Sequence, residues 1–148
     1  MFEKEFEAGW GDVDPNGHLA NTAYLDLSVN TRLAYFASRG FAATDFARFG
    51  FGPVIKSDSV EYFREIRLME KFKITLECGG LAPDASRFRI VNTILKEDGT
   101  LSARVSTVGG WLDFKERKLI EPPEVIFNAL NSLTRTEDFE ELRSSISR

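Results

Sequence analysis

The chain has 148 residues, of which 43% are hydrophobic and 28% are charged, and its formal net charge is −4. This length predicts one domain over residues 1–148 with a sizeable core, and the charge balance provides no global field that would attract nucleic acid. The sequence has no apolar run long enough to span a membrane, and its N-terminus is acidic where a signal peptide would be basic. We therefore expect a cytoplasmic protein with neither a nucleic-acid nor a membrane partner.

The first predicted elements are a strand and a long helix. Apolar residues recur at even positions over residues 2–10, which predicts a strand with one buried face that includes Trp10. Residues 21–40 then show apolar residues at helical spacing, with Asn21 or Thr22 as a possible N-cap and Gly40 as a C-terminal stop. The apolar positions extend beyond one stripe, so we expect this helix to be buried on more than one side.

The middle of the chain predicts a short helix and then a sheet. After a helix or turn near residues 42–49, four long segments are rich in β-branched and aromatic residues: VIKSDSVEYF, KFKITLECGGL, SRFRIVNTIL and LSARVSTVGGWLDF. Asp98-Gly99 predicts a hairpin turn between the last two. The short links predict antiparallel pairing of neighbouring segments, including the first two, which EIRLMEK joins. The only cysteine, Cys78, lies in the second segment; we expect a small buried hydrophobic residue there.

The C-terminal part is predicted to be helical from about residue 122. Pro122 and Pro123 open one helix, and a second carries Phe139, Leu142 and Ile146 on one face. The order of strand, long helix, strands and helices predicts an α+β fold in which an antiparallel sheet wraps around the long helix.

The stretch DVDPNGHLANTAY, residues 12–24, begins like a calcium-binding loop. An EF-hand loop needs ligands at positions including nine and a bidentate glutamate at position twelve. Counted from Asp12, these positions hold Ala20 and Ala23. One histidine with one distant cysteine makes no recognisable zinc site either. We expect no metal and no cofactor.

The same stretch places a carboxylate just before a predicted helix start. Free backbone N–H groups at a helix start can hold a carbonyl oxygen as it becomes an oxyanion, and a carboxylate can act on a thioester as nucleophile or as base for water. Each residue also has a structural interpretation. Asp14 can make turn hydrogen bonds, His18 can be a partly buried histidine, Asn21 can be a helix cap and Tyr24 can belong to the core.

Residues 10–25, WGDVDPNGHLANTAYL, resemble the opening motif of the hotdog-fold thioesterases. The resemblance is strongest to the 4-hydroxybenzoyl-CoA and long-chain acyl-CoA thioesterase group, and the order of elements agrees to about residue 114. It implies a five- to six-stranded sheet wrapped around one central helix, in subunits that form homodimers or homotetramers with the active site at the interface.

The resemblance also implies roles for individual residues. Asp14 falls on the catalytic carboxylate, the N–H of Asn21 on the oxyanion donor, and His18 on the histidine of a His-x-Asn-Asn variant. Ala20 replaces the first asparagine of that variant. The remaining candidates are substrate contacts: Gly17, Tyr24, Ser59 and Arg87.

The leading hypothesis is therefore an acyl-CoA thioesterase that hydrolyses the thioester to a free acid and coenzyme A. Pro15 supports it physically, because a residue before proline is held extended and the direction of the Asp14 carboxylate is thereby preset. The alternative is a non-catalytic module that binds an acyl-CoA or an acyl carrier protein. A related hydratase is a third possibility. Neither chain length nor aromatic preference of the acyl group follows from the sequence.

Overall fold

The structure is a computed structural model, and it describes residues 1–146. The described part contains seven strands, three α-helices and a short 3-10 turn. The strands are β1 (Phe2–Glu7), β2 (Phe51–Tyr62), β3 (Lys71–Leu81), β4 (Arg87–Lys96), β5 (Leu101–Asp113), β6 (Lys118–Ile120) and β7 (Arg135–Glu141); the helices are α1 (Asn21–Ser38), α2 (Ala43–Phe49) and α3 (Glu124–Asn131); the 3-10 turn is Trp10–Asp12.

The seven strands form one sheet with the main order β1-β3-β4-β5-β2, in which all neighbours are antiparallel. The predicted hairpin between β4 and β5 is confirmed: Gly99 takes the left-handed conformation at φ 88°. The predicted pairing of the first two long strands is wrong. β2 pairs with β5, because the segment between β2 and β3 does not form a hairpin and instead pairs with residues 17–19.

One face of α1 packs on the sheet. Its buried side chains include Ala23, Tyr24, Tyr35 and Phe36, and its residues join two hydrophobic clusters, one near each end of the helix. On the other side, Val29 is 44% exposed. The prediction that α1 is buried on more than one side is therefore not confirmed within the single chain.

The C-terminal prediction is half wrong. α3 forms where Pro122 and Pro123 predict a helix, but residues 135–141 form β7 instead of a second helix. β1 pairs with β3 only as far as Leu76, and β7 pairs parallel with β3 from Cys78 onward, which fills the open edge. This added strand, together with the short β6, makes seven strands where five to six were expected.

Two further features complete the fold. Trp10, expected on the buried face of the first strand, is 82% exposed because β1 ends at Glu7 and Trp10 lies in the 3-10 turn. Cys78 is buried, as expected. No helix within the described residues is both long and apolar enough to cross a membrane.

Candidate active site

A tight turn over residues 14–18 presents the Asp14 carboxylate. The Asp14 N–H donates to the His18 carbonyl (2.8 Å), and the Gly17 N–H donates to the Asp14 carbonyl (2.9 Å). The Asp14 Oδ1 accepts from the N–H groups of Asn16 (2.9 Å) and His18 (3.2 Å). Gly17 closes the turn at φ 76°, a left-handed conformation that suits glycine. Oδ1 thus orients the half-buried carboxylate, while Oδ2 accepts no hydrogen bond from a described residue.

The turn leads directly into the start of α1. The Ala20 N–H donates to the Asp12 carbonyl (2.8 Å), and Ala20 is the N-cap, without a side-chain cap. Asn21 is therefore the first helical residue and not the cap. Within the described chain its N–H and that of Thr22 donate to no residue, so both point donors with partial positive charge out of the helix end.

Asp12, the other carboxylate of this stretch, has a structural contact. Its Oδ2 accepts from the Gly9 N–H (3.1 Å) and so closes the 3-10 turn. It also provides the backbone carbonyl that fixes Ala20. Asp12 and Asp14 are therefore held by different turns, and a substitution at one can serve as a control for the other.

His18 contacts the segment EIRLMEK, which was predicted only as a link between two strands. Its Nδ1 lies 3.2 Å from the Glu65 Oε2, and Glu65 also contacts the Arg67 Nη2 at 3.2 Å. The Nδ1 contact favours a proton on that nitrogen and leaves Nε2 as the second ring atom available to a ligand. His18 is 32% exposed. The only sequence signal for these partners is the run of charges in EIRLMEK.

Tyr24 is placed in the core. It is 4% exposed, its hydroxyl lies 3.3 Å from the Ser102 Oγ, and its ring meets Tyr62 edge-on at 5.2 Å. Burial raises the pKa of the Tyr24 hydroxyl. This placement favours the packing interpretation over the predicted substrate contact.

The structure does not bring Ser59 and Arg87 to the turn. Ser59 is exposed on β2 and lines a groove with Arg89 and Arg104 on the sheet face away from α1. Arg87 begins β4 and donates to the Ser145 Oγ (3.4 Å). The other end of β4 lies near Glu65, which places Arg87 roughly 30 Å from the His18 region at about 3.3 Å per strand residue.

An apolar pocket of about 120 Å³ lies between the second half of α1 and the sheet. Its mouth is at Val29 and Ile55, which are 44% and 45% exposed. Deeper lining residues are buried aromatic and aliphatic side chains: Phe36, Phe46, Leu76, Phe88, Ile90, Trp111, Leu130 and Leu133.

Arg32 is the charged residue of this pocket, and it was not among the site residues predicted from the sequence. Its Nε donates to the Asn92 Oδ1 (3.0 Å) and its Nη2 to the Thr107 Oγ1 (2.7 Å), while the Thr107 hydroxyl donates to the Asp58 Oδ1 (2.5 Å). Burial lowers the pKa of Arg32, and the nearby Asp58 opposes that shift. Polar Asn92 and Thr107 at inward positions of apolar strands are the sequence signal that a buried partner exists.

A family model described as the thioesterase-like superfamily matches residues 8–130. The chain belongs to this superfamily. The match confirms the resemblance and covers the turn, α1, the pocket's aromatic lining and most of the sheet. It ends before Leu133 and β7.

The thioesterase-like chain is also similar to named proteins. It is 25% identical over 138 residues to an L-carnitine dehydrogenase/betainyl-CoA thioesterase from Agrobacterium fabrum. That match covers 93% of this chain but only 28% of the length of the relative. A 1,4-dihydroxy-2-naphthoyl-CoA thioesterase from Synechocystis matches with a TM-score of 0.80 and 20% identity, over 89% of this chain and 96% of that one. A Staphylococcus aureus protein solved in complex with CoA matches with a TM-score of 0.78 and 19% identity, over 99% and 95% of the two chains. The two structures share the fold of this chain.

Proposed function

We propose that the protein hydrolyses an acyl-CoA thioester to a free acid and coenzyme A. The observation that carries the proposal is the Asp14 turn. One carboxylate oxygen is fixed by two N–H groups and the other is left for chemistry, just before a helix start with free N–H donors. Membership of the thioesterase-like superfamily and the names of the relatives support the same reaction.

In the proposed reaction, Asp14 acts as nucleophile or as general base. As base, its Oδ2 takes a proton from water while the water oxygen bonds to the thioester carbonyl carbon; the C–S bond then breaks and the CoA thiolate leaves as the thiol after gaining a proton. As nucleophile, Oδ2 bonds to the thioester carbonyl carbon, the C–S bond breaks and the CoA thiolate leaves and gains a proton; water then hydrolyses the mixed anhydride to the free acid and restores the Asp14 carboxylate. In both cases the Asn21 N–H stabilises the oxyanion, and His18, held by Glu65, orients water or the carbonyl.

We infer that the site is completed by a second copy of the chain. Among the described strands, β2 lies at an edge and pairs with β5 alone, and its residues 55–59 are exposed. Its Ile55 end borders the pocket mouth, and its Tyr62 hydroxyl donates to the Asn21 carbonyl (3.0 Å) at the helix start, roughly 23 Å along the strand.

Antiparallel pairing of two β2 strands about a central two-fold axis would place each Ile55 end beside the partner's helix start. An apolar pocket of one protomer would then face the carboxylate turn of the other, and the joined sheets would enclose both long helices as in the hotdog arrangement. Pairing would also cover an otherwise open sheet edge. The cytoplasmic location and the choice between dimer and tetramer stay predictions.

The test is a thiol-release assay over short, long and aromatic acyl-CoAs with wild type, Asp14→Asn and Asp12→Asn. Asparagine keeps the Oδ1 acceptor, so the turn survives while the charge is lost. We expect Asp14→Asn to reduce kcat/KM by about a hundredfold or more, and Asp12→Asn to change it little. Equal hydrolysis by Asp14→Asn and wild type contradicts the assignment. Tight acyl-CoA binding without thiol release identifies a binding module instead.

A further inference from the structure

The apolar pocket has a rigid aromatic wall built around Trp111. The Trp111 ring lies 6.0 Å from Phe36, 6.2 Å from Phe46 and 5.4 Å from Phe88, measured between ring centres. The Trp111 Nε1–H donates to the Ala85 carbonyl (3.1 Å), which fixes the orientation of the indole. Closely packed rings, one of them fixed by a hydrogen bond, shift little, so we expect the pocket to admit groups that fit its present size.

The volume corresponds to one small ring. The pocket holds about 120 Å³, and an engineered apolar cavity of about 150 Å³ in another protein binds benzene. A phenyl group or a branched acyl group of similar size fills such a space, and a long alkyl chain does not.

Leu130 and Leu133 are the lining residues that the C-terminal part of the chain supplies. They are 1% and 6% exposed, and the segment that carries them is fixed from both sides. The Tyr35 hydroxyl donates to the Ala129 carbonyl, and the Cys78 N–H donates to the Thr134 carbonyl (2.9 Å). The superfamily match ends at residue 130, so Leu133 lies outside the matched region.

The positive charge of Arg32 opposes the binding of a cationic acyl group in the pocket. Faces of several aromatic rings would suit a quaternary ammonium group, but the Arg32 side chain is part of the lining and, among described residues, no Asp or Glu lines the pocket. Asp58 lies behind Thr107, which receives the Arg32 bond and donates to the Asp58 carboxylate. Within the lining that one chain supplies, an acyl cation would therefore lie beside a guanidinium and beside no carboxylate.

We propose that the pocket selects an uncharged acyl group of about one ring in size, with Leu133 as its floor and Arg32 as the residue that rejects cations. This specificity rests on the proposed function, because it assigns the pocket to the acyl part of the thioester. It also separates this chain from the betainyl-CoA specificity named for its relative, since a betainyl group carries a trimethylammonium cation.

The test uses non-hydrolysable S-alkyl thioethers of CoA, so that binding is measured without catalysis. S-(3,3-dimethylbutyl)-CoA and S-(2-trimethylammonioethyl)-CoA have nearly the same shape and differ in charge. By calorimetry with the wild-type protein we expect the neutral thioether to bind at least about a hundredfold more tightly, because an unpaired charge is costly to bury. S-benzyl-CoA should bind like the neutral thioether, and S-hexadecyl-CoA no more tightly than S-hexyl-CoA.

Equal binding of the neutral and cationic thioethers would overturn the charge selection, and preferential binding of the hexadecyl compound would overturn the size limit. Selective binding of the neutral thioether with no thiol release from any acyl-CoA would instead refute the proposed hydrolysis and leave the pocket assignment standing.

Leu133→Ala tests the floor, with Leu142→Ala as the matched control in the same segment. Leu142 is half-buried and packs near Gly80, outside the pocket lining. We expect Leu133→Ala to shift the preferred alkyl thioether to longer chains and Leu142→Ala to leave the preference unchanged. An unchanged preference in a folded Leu133→Ala protein would refute the assigned floor. If that variant does not fold, the wild-type comparison of hexyl and hexadecyl thioethers still decides the size limit.

Discussion

The buried network beneath α1 makes a strong prediction for Thr107→Val. Thr107 is fully buried, and its hydroxyl joins the Arg32 guanidinium to the Asp58 carboxylate. Valine has nearly the same shape as threonine but no hydroxyl. The substitution therefore removes two hydrogen bonds to charged groups without opening a cavity.

The expected loss follows from the different exposure of the two partners. A hydrogen bond to a charged group contributes about 1.5–3 kcal/mol. Arg32 is half-buried, and it keeps its bond to Asn92 but loses the one to Thr107. Asp58 is exposed, so water replaces most of its bond and we add at most about 1 kcal/mol for it. We expect Thr107→Val to lower the free energy of unfolding by about 1.5–4 kcal/mol, a large part of the usual 5–15 kcal/mol.

Equilibrium urea denaturation of wild type, Thr107→Val and Thr93→Val measures this loss. Thr93 lies on β4, is half-buried, and its hydroxyl makes no hydrogen bond to a described residue. Thr93→Val should change the free energy of unfolding by less than about 0.5 kcal/mol. If Thr107→Val destabilises the protein no more than Thr93→Val does, the prediction for the buried network is wrong.

Two further predictions concern backbone contacts and pH. Gly109→Ala places a Cβ against the Val54 carbonyl of the neighbouring strand, so we expect a loss of at least about 2 kcal/mol in denaturation, whereas Gly11→Ala, which meets no atom within 4 Å, should be nearly neutral. Hydrogen bonds from Thr100 lower the pKa of Asp98 below 3.8, so its charge stabilises the fold above that pH and the benefit is lost as the pH falls through the lowered pKa. Asp98→Asn should therefore be less stable than wild type at pH 7 and converge with it in strong acid, and a constant difference across a pH series would contradict this.

Local features of the fold could be predicted from sequence because their causes are local. Asp98-Gly99 encodes its own left-handed turn, and the spacing of apolar residues over 21–40 encodes α1. β7 could not be predicted, because TEDFEEL carries a helical spacing and becomes a strand only by pairing with the edge of β3 that β1 leaves open. The pairing of β2 with β5 likewise goes with a contact distant in sequence, the pairing of residues 66–68 with residues 17–19.

The candidate site likewise contains a part that has local causes and residues whose placement depends on the whole fold. Asp14, Gly17 and His18 are neighbours in sequence, and the turn that holds them is made by their own backbone groups, so a short motif specifies it. Arg87 was predicted as a substrate contact because it begins a strand after a turn and because arginine binds phosphate well, but the length of β4 separates it from the Asp14 turn.

The pocket depends on contacts that no short motif contains. Arg32 comes from α1, Trp111 from β5 and Leu133 from the C-terminal segment, and the three meet only because the sheet and β7 close around them. Under the proposed assignments we therefore expect the chemistry of the turn and the selectivity of the pocket to change independently: a substitution at Leu133 should alter which acyl group fits without touching the carboxylate turn. We therefore expect the short Asp14 motif to identify the reaction, and the packing around the pocket at the C-terminal half of α1 to determine which acyl-CoA is the substrate.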